Sequence, residues 1–86
     1  MLLAAGNLDG MTVLDLGCGS GFFSRAFADA GAQHVLCIDC SAKQISIARR
    51  IPSSPVVDYD VGDVLSYNYP MADIVCAPFF AELHER

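Results

Sequence analysis

The chain has 86 residues, with ten acidic and five basic side chains and a formal net charge of −5. This length suits one small domain, and 53% apolar against 17% charged residues is typical of folded rather than disordered chains. So few basic residues argue against direct nucleic-acid binding by this segment. An acidic domain suits a cationic ligand instead.

The sequence has no apolar run near the roughly 20 residues that a membrane span requires. The apolar start, residues 1–5, is too short for a signal peptide and lacks a basic region. We therefore expect a cytoplasmic protein without a membrane partner. Its four cysteines should be free thiols, and the Cys37–Cys40 pair lacks the second pair that a zinc site needs, so we expect no metal.

The first half of the chain alternates strand and helix patterns. Residues 12–16 (TVLDL) and 34–39 (HVLCID) are apolar runs typical of buried strands. Residues 21–30 between them predict a helix that ends before Gly31, where a C-cap favours glycine. The apolar positions assigned to its buried face are Phe22, Phe23, Ala26, Phe27 and Ala30.

A second helix should begin after Ser41, an N-cap that forms a capping box with Gln44, and should stop at Pro52. Its predicted buried face carries Ala42, Ile45 and Ala48, while Arg49 and Arg50 lie in the last turn, where the helix dipole favours them.

Residues 56–61 and 72–77 predict two more strands. Residues 62–71 predict a loop with room for one helical turn, in which Tyr67 and Tyr69 either cover a ligand or simply pack.

This alternation predicts an α/β fold, a Rossmann-like parallel sheet with flanking helices. Ligands of such sheets bind beyond the carboxyl ends of the strands. Three polar groups fall at those ends: the loop of residues 17–21 (GCGSG), Asp39, and the pair Gly62–Asp63. Glycines let a ligand approach the backbone, Asp39 can accept from two ribose hydroxyls, and Asp63 can accept from an exocyclic amine.

The glycine loop could also belong to a site for a dinucleotide such as NAD. The dinucleotide fingerprint G-x-G-x-x-G needs a third glycine for close helix–strand packing, and Phe22 stands at that position. The sequence reads G-x-G-x-G instead, which also suits a ligand without a pyrophosphate. An NAD-binding fragment is therefore disfavoured.

The stretch VLDLGCGSG at residues 13–21 closely resembles motif I of class I methyltransferases that use S-adenosylmethionine (SAM). The similarity extends through Asp39, Gly62–Asp63 and the fourth strand, over about residues 12–77. It implies that Gly17, Cys18, Gly19 and Gly21 line the methionine part of SAM, with Asp15 placing its amino group through water or the loop. It further implies ribose binding by Asp39, adenine binding by Cys40, Asp63 and the Val64 N–H, and a position near the transferred methyl for Ala77 and Pro78.

The resemblance also sets the expected limits of the chain. The family sheet has seven strands, so residues 1–86 are expected to be a partial methyltransferase domain, truncated after about four strands. Its fourth strand would then be an apolar edge that favours self-association. The resemblance implies methyl transfer to an acceptor that the sequence does not identify, and we nominate no catalytic residue. The alternative is a non-catalytic SAM-binding module or an inactive fragment.

Overall fold

The computed structural model describes residues 8–77. Within them the chain forms, in order, β1 (Thr12–Leu16), α1 (Phe22–Asp29), β2 (His34–Asp39), α2 (Ala42–Arg50), β3 (Val57–Val61) and β4 (Ile74–Cys76). The predicted order of strands and helices is confirmed, and β1 and β2 have the predicted bounds. The third and fourth strands are shorter than predicted. The predicted helical turn is present, because the Ser66 and Tyr67 N–H groups both donate to the Asp63 carbonyl at 3.0 and 2.9 Å.

The four strands form one parallel sheet in the order β3-β2-β1-β4. The connections from β1 to β2 and from β2 to β3 step in one direction, so right-handed crossovers place both helices on the same face. The return to β4 steps the other way and places residues 62–73 on the opposite face. The strand order therefore reverses beside the carboxyl end of β1, where open α/β sheets form their binding crevices.

Each face of the sheet has its own apolar core. On the helix face, Phe27 of α1 packs with Val13, Val35, Val57 and Cys76. On the other face, Leu14, Leu16 and Ile38 are buried, and the partly buried residues packed on them include Tyr67 and Tyr69. Both tyrosines therefore pack on this face of the sheet, as one of their two interpretations predicts.

The predicted buried face of the first helix is partly wrong. Phe22 and Phe23 are 67% and 40% exposed, whereas Ser24 and Phe27 are buried. The cause is a buried hydrogen bond, in which the Ser24 hydroxyl donates to Asp15 at 2.7 Å. That bond turns Ser24 toward the sheet, and at 3.6 residues per turn Phe22 then lies about 160° away, on the outer face.

In the second helix, Ser41 is the N-cap as predicted, and its hydroxyl accepts from the Gln44 N–H at 3.2 Å. Ile45 and Ala48 are buried, but Ala42 is exposed, contrary to the prediction, because it lies in the first turn at the rim of the packed face. The helix ends at Arg50, two residues before Pro52, as expected. No helix within residues 8–77 has the length and apolar character to cross a membrane.

The expectation that all cysteines are free thiols is wrong. Cys18 and Cys37 form a disulfide with a Cα–Cα distance of 5.8 Å, while Cys40 is exposed and free and Cys76 is buried and free. The glycine loop folds back onto β2, because the Gly17 and Cys18 N–H groups donate to the Ile38 carbonyl at 2.7 and 3.3 Å. This fold-back places Cys18 beside Cys37, which lies 19 positions away in the sequence.

Candidate functional site

The carboxyl ends of β1, β2 and β3 lie side by side at one edge of the sheet. In register, Leu16 pairs with Ile38, and Asp39 pairs with Val61. The residues that follow these strand ends, namely the glycine loop, Cys40 and Gly62–Asp63, therefore share that edge. The structure thus places the three predicted polar groups along one rim.

The glycine loop adopts backbone angles that favour glycine. Gly17, Gly19 and Gly21 have φ values of 73°, 58° and 87°. A Cβ atom on Gly19 would have no neighbour within 4 Å, whereas one on Gly21 would lie 2.8 Å from the Tyr59 ring. Gly19 therefore borders open space at the rim, while Gly21 is a packing position at the start of α1.

Asp39 links the glycine loop to the connection that follows β2. Its Oδ2 accepts from the Gly19 N–H at 2.8 Å, and its Oδ1 accepts from the Ser41 N–H at 2.8 Å. Its carbonyl accepts from the Gly62 N–H at 3.0 Å, which ties the third polar group to the same residue. A carboxylate has about four lone-pair directions, so Asp39 keeps acceptor capacity for further donors.

Asp15 lies beneath the loop rather than on the rim. It is only 2% exposed, and its Oδ2 accepts from the Ser24 hydroxyl at 2.7 Å. Burial raises the pKa of Asp15; the Ser24 hydrogen bond opposes this shift, and the negative charge of Asp39 adds to it. Burial, with the charge of Asp15, also raises the pKa of the Cys76 thiol, which lies in register with Asp15 on β4.

The turn after β3 carries the remaining predicted residues. Asp63 is exposed, and its Oδ1 accepts from the Leu65 N–H at 3.0 Å. Val64 and Ala77 are partly buried against the core of the non-helical face. Cys40 is exposed beside Asp39, in position to border a ligand at the rim.

Sequence reasoning missed the hydrogen bonds of the two tyrosines in this turn. The Tyr67 hydroxyl donates to Asp60 at 2.6 Å, and the Tyr69 hydroxyl donates to the Val64 carbonyl at 2.7 Å. Only the proximity of Tyr67 and Tyr69 to Gly62–Asp63 in the sequence could have indicated such contacts. In residues 8–77 no group of three or more His, Cys, Asp or Glu side chains is arranged to hold a metal ion.

Known proteins that are similar to this chain in sequence include methyltransferases. A ubiquinone biosynthesis O-methyltransferase from Bordetella pertussis is 49% identical over 57 residues, covering 64% of this chain and 23% of that protein. The ribosomal protein L11 methyltransferase of Thermotoga petrophila is 35% identical over 80 residues, covering 91% of this chain and 30% of that protein. The chain thus spans less than a third of either relative.

A solved S-adenosylmethionine-dependent methyltransferase from Mesorhizobium loti has the same fold. It superposes with a TM-score of 0.76 at 31% identity, over 86% of this chain and 36% of that one. The sequence model of a methyltransferase domain matches residues 13–85. That match includes the glycine loop, Asp39 and the turn after β3, and the chain therefore belongs to this methyltransferase domain family.

Proposed function

We propose that the rim binds SAM and that this chain is the donor-binding part of a methyltransferase. The observation that carries the proposal is the 2.8 Å hydrogen bond from the Gly19 N–H to Asp39. This bond brings the glycine loop and a strand-end carboxylate together. The space beside them is open, because a Cβ atom on Gly19 would have no neighbour within 4 Å. A ligand can therefore contact backbone and carboxylate at once.

The proposed contacts follow the order of the rim. Gly17, Gly19 and the backbone of Cys18 and Gly21 line the methionine part, and Asp39 accepts from the ribose hydroxyls. The buried position of Asp15 supports an indirect role, in which its bond to Ser24 holds the helix start and hence the loop.

Around the adenine, Cys40 borders one face of the ring, Asp63 accepts from the amine, and the Val64 N–H donates to a ring nitrogen. Ala77 lies nearer the methyl group. These assignments rest on the rim positions of Cys40 and Asp63 and on the match of the family model to this part of the chain.

The role that we assign to this chain is to hold the methyl donor in one position and orientation. Bound SAM supplies a methyl group on a sulfonium, which needs no further activation. Holding the donor in one orientation removes part of the entropic barrier to direct displacement. The net charge of −5 suits the cationic ligand. The acceptor's contacts, and turnover itself, belong to the whole protein, because this chain spans less than a third of the relatives cited.

We also propose where the protein is located and how the chain associates with itself. A cytoplasmic location rests on the sequence alone, and the Cys18–Cys37 disulfide weighs against it, because cytosolic proteins usually keep their thiols reduced. Self-association through β4 rests on its place as the last strand of the sheet order and on Val75, which is 55% exposed. A non-catalytic SAM-binding module remains the alternative to an enzyme, and a transfer assay with labelled SAM separates the two.

Calorimetry of the chain with SAM, its demethylated product S-adenosylhomocysteine, and NAD tests the binding proposal. We expect saturable binding of the first two and weaker binding of NAD, because Phe22 replaces the third glycine of a dinucleotide loop. Tighter binding of NAD than of SAM would reject the proposal.

A further inference from the structure

We propose that Tyr67 is a positioning residue that holds the turn of residues 62–64 in the geometry that recognises adenine. The proposal rests on the proposed SAM function and deepens it. It concerns how this site distinguishes adenine from other purines, a property that depends on where the turn after β3 is held.

Tyr67 contacts the turn on three sides. Its hydroxyl donates to Asp60 at 2.6 Å, and its backbone N–H donates to the Asp63 carbonyl at 2.9 Å. Its ring lies so close to Gly62 that a Cβ there would be 2.8 Å from the Tyr67 Cδ2 atom. The hydroxyl, the ring and the backbone of Tyr67 therefore contact Asp60, Gly62 and Asp63 respectively.

The anchor of this arrangement is part of the sheet. Asp60 belongs to β3 and pairs in register with the buried Ile38 of β2. The Tyr67 hydroxyl thus ties a connecting loop to a rigid strand. Its donation to the Asp60 carboxylate raises the pKa of Tyr67, so the hydroxyl keeps its proton, and with it the bond, at neutral pH.

Adenine recognition depends on the position of the turn of residues 62–64. Adenine offers an amine donor beside a ring-nitrogen acceptor, which match the Asp63 carboxylate and the Val64 N–H. Hydrogen bonds weaken quickly outside about 2.7–3.2 Å, so both contacts form only if the turn is correctly placed. The Asp63 Oδ1 accepts from the Leu65 N–H, which fixes the carboxylate within the turn, and both oxygens keep lone pairs for the amine.

Hypoxanthine is the informative comparison, because it presents an oxygen to Asp63 and a ring N–H to Val64. Both contacts become repulsive, so a correctly held turn should reject it. A Tyr67 that served only as packing for Leu14, Leu16 and Ile38 would affect stability, and would lower the affinity for both purines together.

The experiment compares S-adenosylhomocysteine with S-inosylhomocysteine, its hypoxanthine counterpart, by calorimetry on the full chain. The parent should prefer the adenine compound, and Tyr67→Phe should reduce that preference about tenfold, or about 1.4 kcal/mol. Tyr59→Phe is the matched control, since the buried Tyr59 hydroxyl has no hydrogen-bond partner within residues 8–77. It should leave the preference unchanged.

A second pair of variants covers the case in which Tyr67→Phe does not fold. Asp60→Asn keeps an oxygen that accepts from Tyr67 and should retain the preference, whereas Asp60→Ala should lose it. A parent that prefers adenine, with an equal preference in Tyr67→Phe or Asp60→Ala, would overturn the positioning role alone. A parent that binds neither compound would instead overturn the proposed function.

Discussion

Asp39 concentrates several contacts in one side chain, since its two oxygens accept from Gly19 and Ser41. Asp39→Asn removes the charge and one acceptor oxygen while keeping the shape. We expect SAM affinity to fall by about 1.5–3 kcal/mol, the range for hydrogen bonds to a charged group. Calorimetry measures this loss. Asp58→Asn, which alters an exposed acid paired with His34 at the far end of β2, is the control and should bind normally. Equal affinity in Asp39→Asn would show that this acid does not hold the ligand.

Asp15 should make stability depend on pH in an identifiable direction. Its pKa is raised above the ordinary value of 3.8 in the folded chain, so the folded state keeps that proton to higher pH than the unfolded state does. Its contribution is therefore complete below pH 3.8 and declines as pH rises through the raised pKa. Urea unfolding from pH 3.5 to 7 should show the parent losing stability relative to Asp15→Asn as pH increases. A constant difference between the two would contradict the burial cause.

At the scale of elements, the glycine loop provides a test of ligand approach. Gly19→Val places a branched side chain at a φ of 58° and fills the open space beside the loop, so it should reduce SAM affinity at least about tenfold. Gly10→Val is a matched control, because Gly10 also has a positive φ, 75°, and open space around its Cβ position, but lies outside the loop. Both variants should lose similar stability in thermal unfolding. Equal SAM affinity in the two would mean that the ligand does not approach Gly19.

The strands and helices could be predicted because their signals are local. β1 and β2 were predicted to the residue, since apolar runs bounded by glycine or a capping serine leave little choice of ends. The orientation of α1 could not be predicted, because it depends on the Ser24–Asp15 bond across two elements. Periodicity alone assigned Phe22 to the core, and the buried polar pair overrides that assignment.

The candidate site shows the same division. The glycine loop and Asp39 could be predicted because each lies at a strand end, and parallel strands bring those ends together. The Tyr67–Asp60 bond and the Cys18–Cys37 disulfide could not, since both depend on how loops fold back over the sheet.

For the whole molecule, the exposed side of β4 gives a prediction about assembly. In the described sheet β4 pairs with β1 alone, and Val75 is 55% exposed. We expect sedimentation to show self-association, because an open apolar edge pairs with another strand, and Val75→Lys should shift the chain toward monomer. Ile47→Lys, on the exposed face of α2 rather than on a strand, should not. A monomeric parent at all concentrations would refute this assembly.

The disulfide makes one part of the chain a covalent ring. It joins Cys18 to Cys37 across 19 positions, and the segment between them contains all of α1. Closing a ring of this size restricts the unfolded chain by about 3 kcal/mol in the entropic model. A protease that cuts within α1 would therefore leave both products linked, and the nicked chain would migrate as one species. Electrophoresis with and without a thiol reductant should reveal it, with two fragments separating only in the reduced lane.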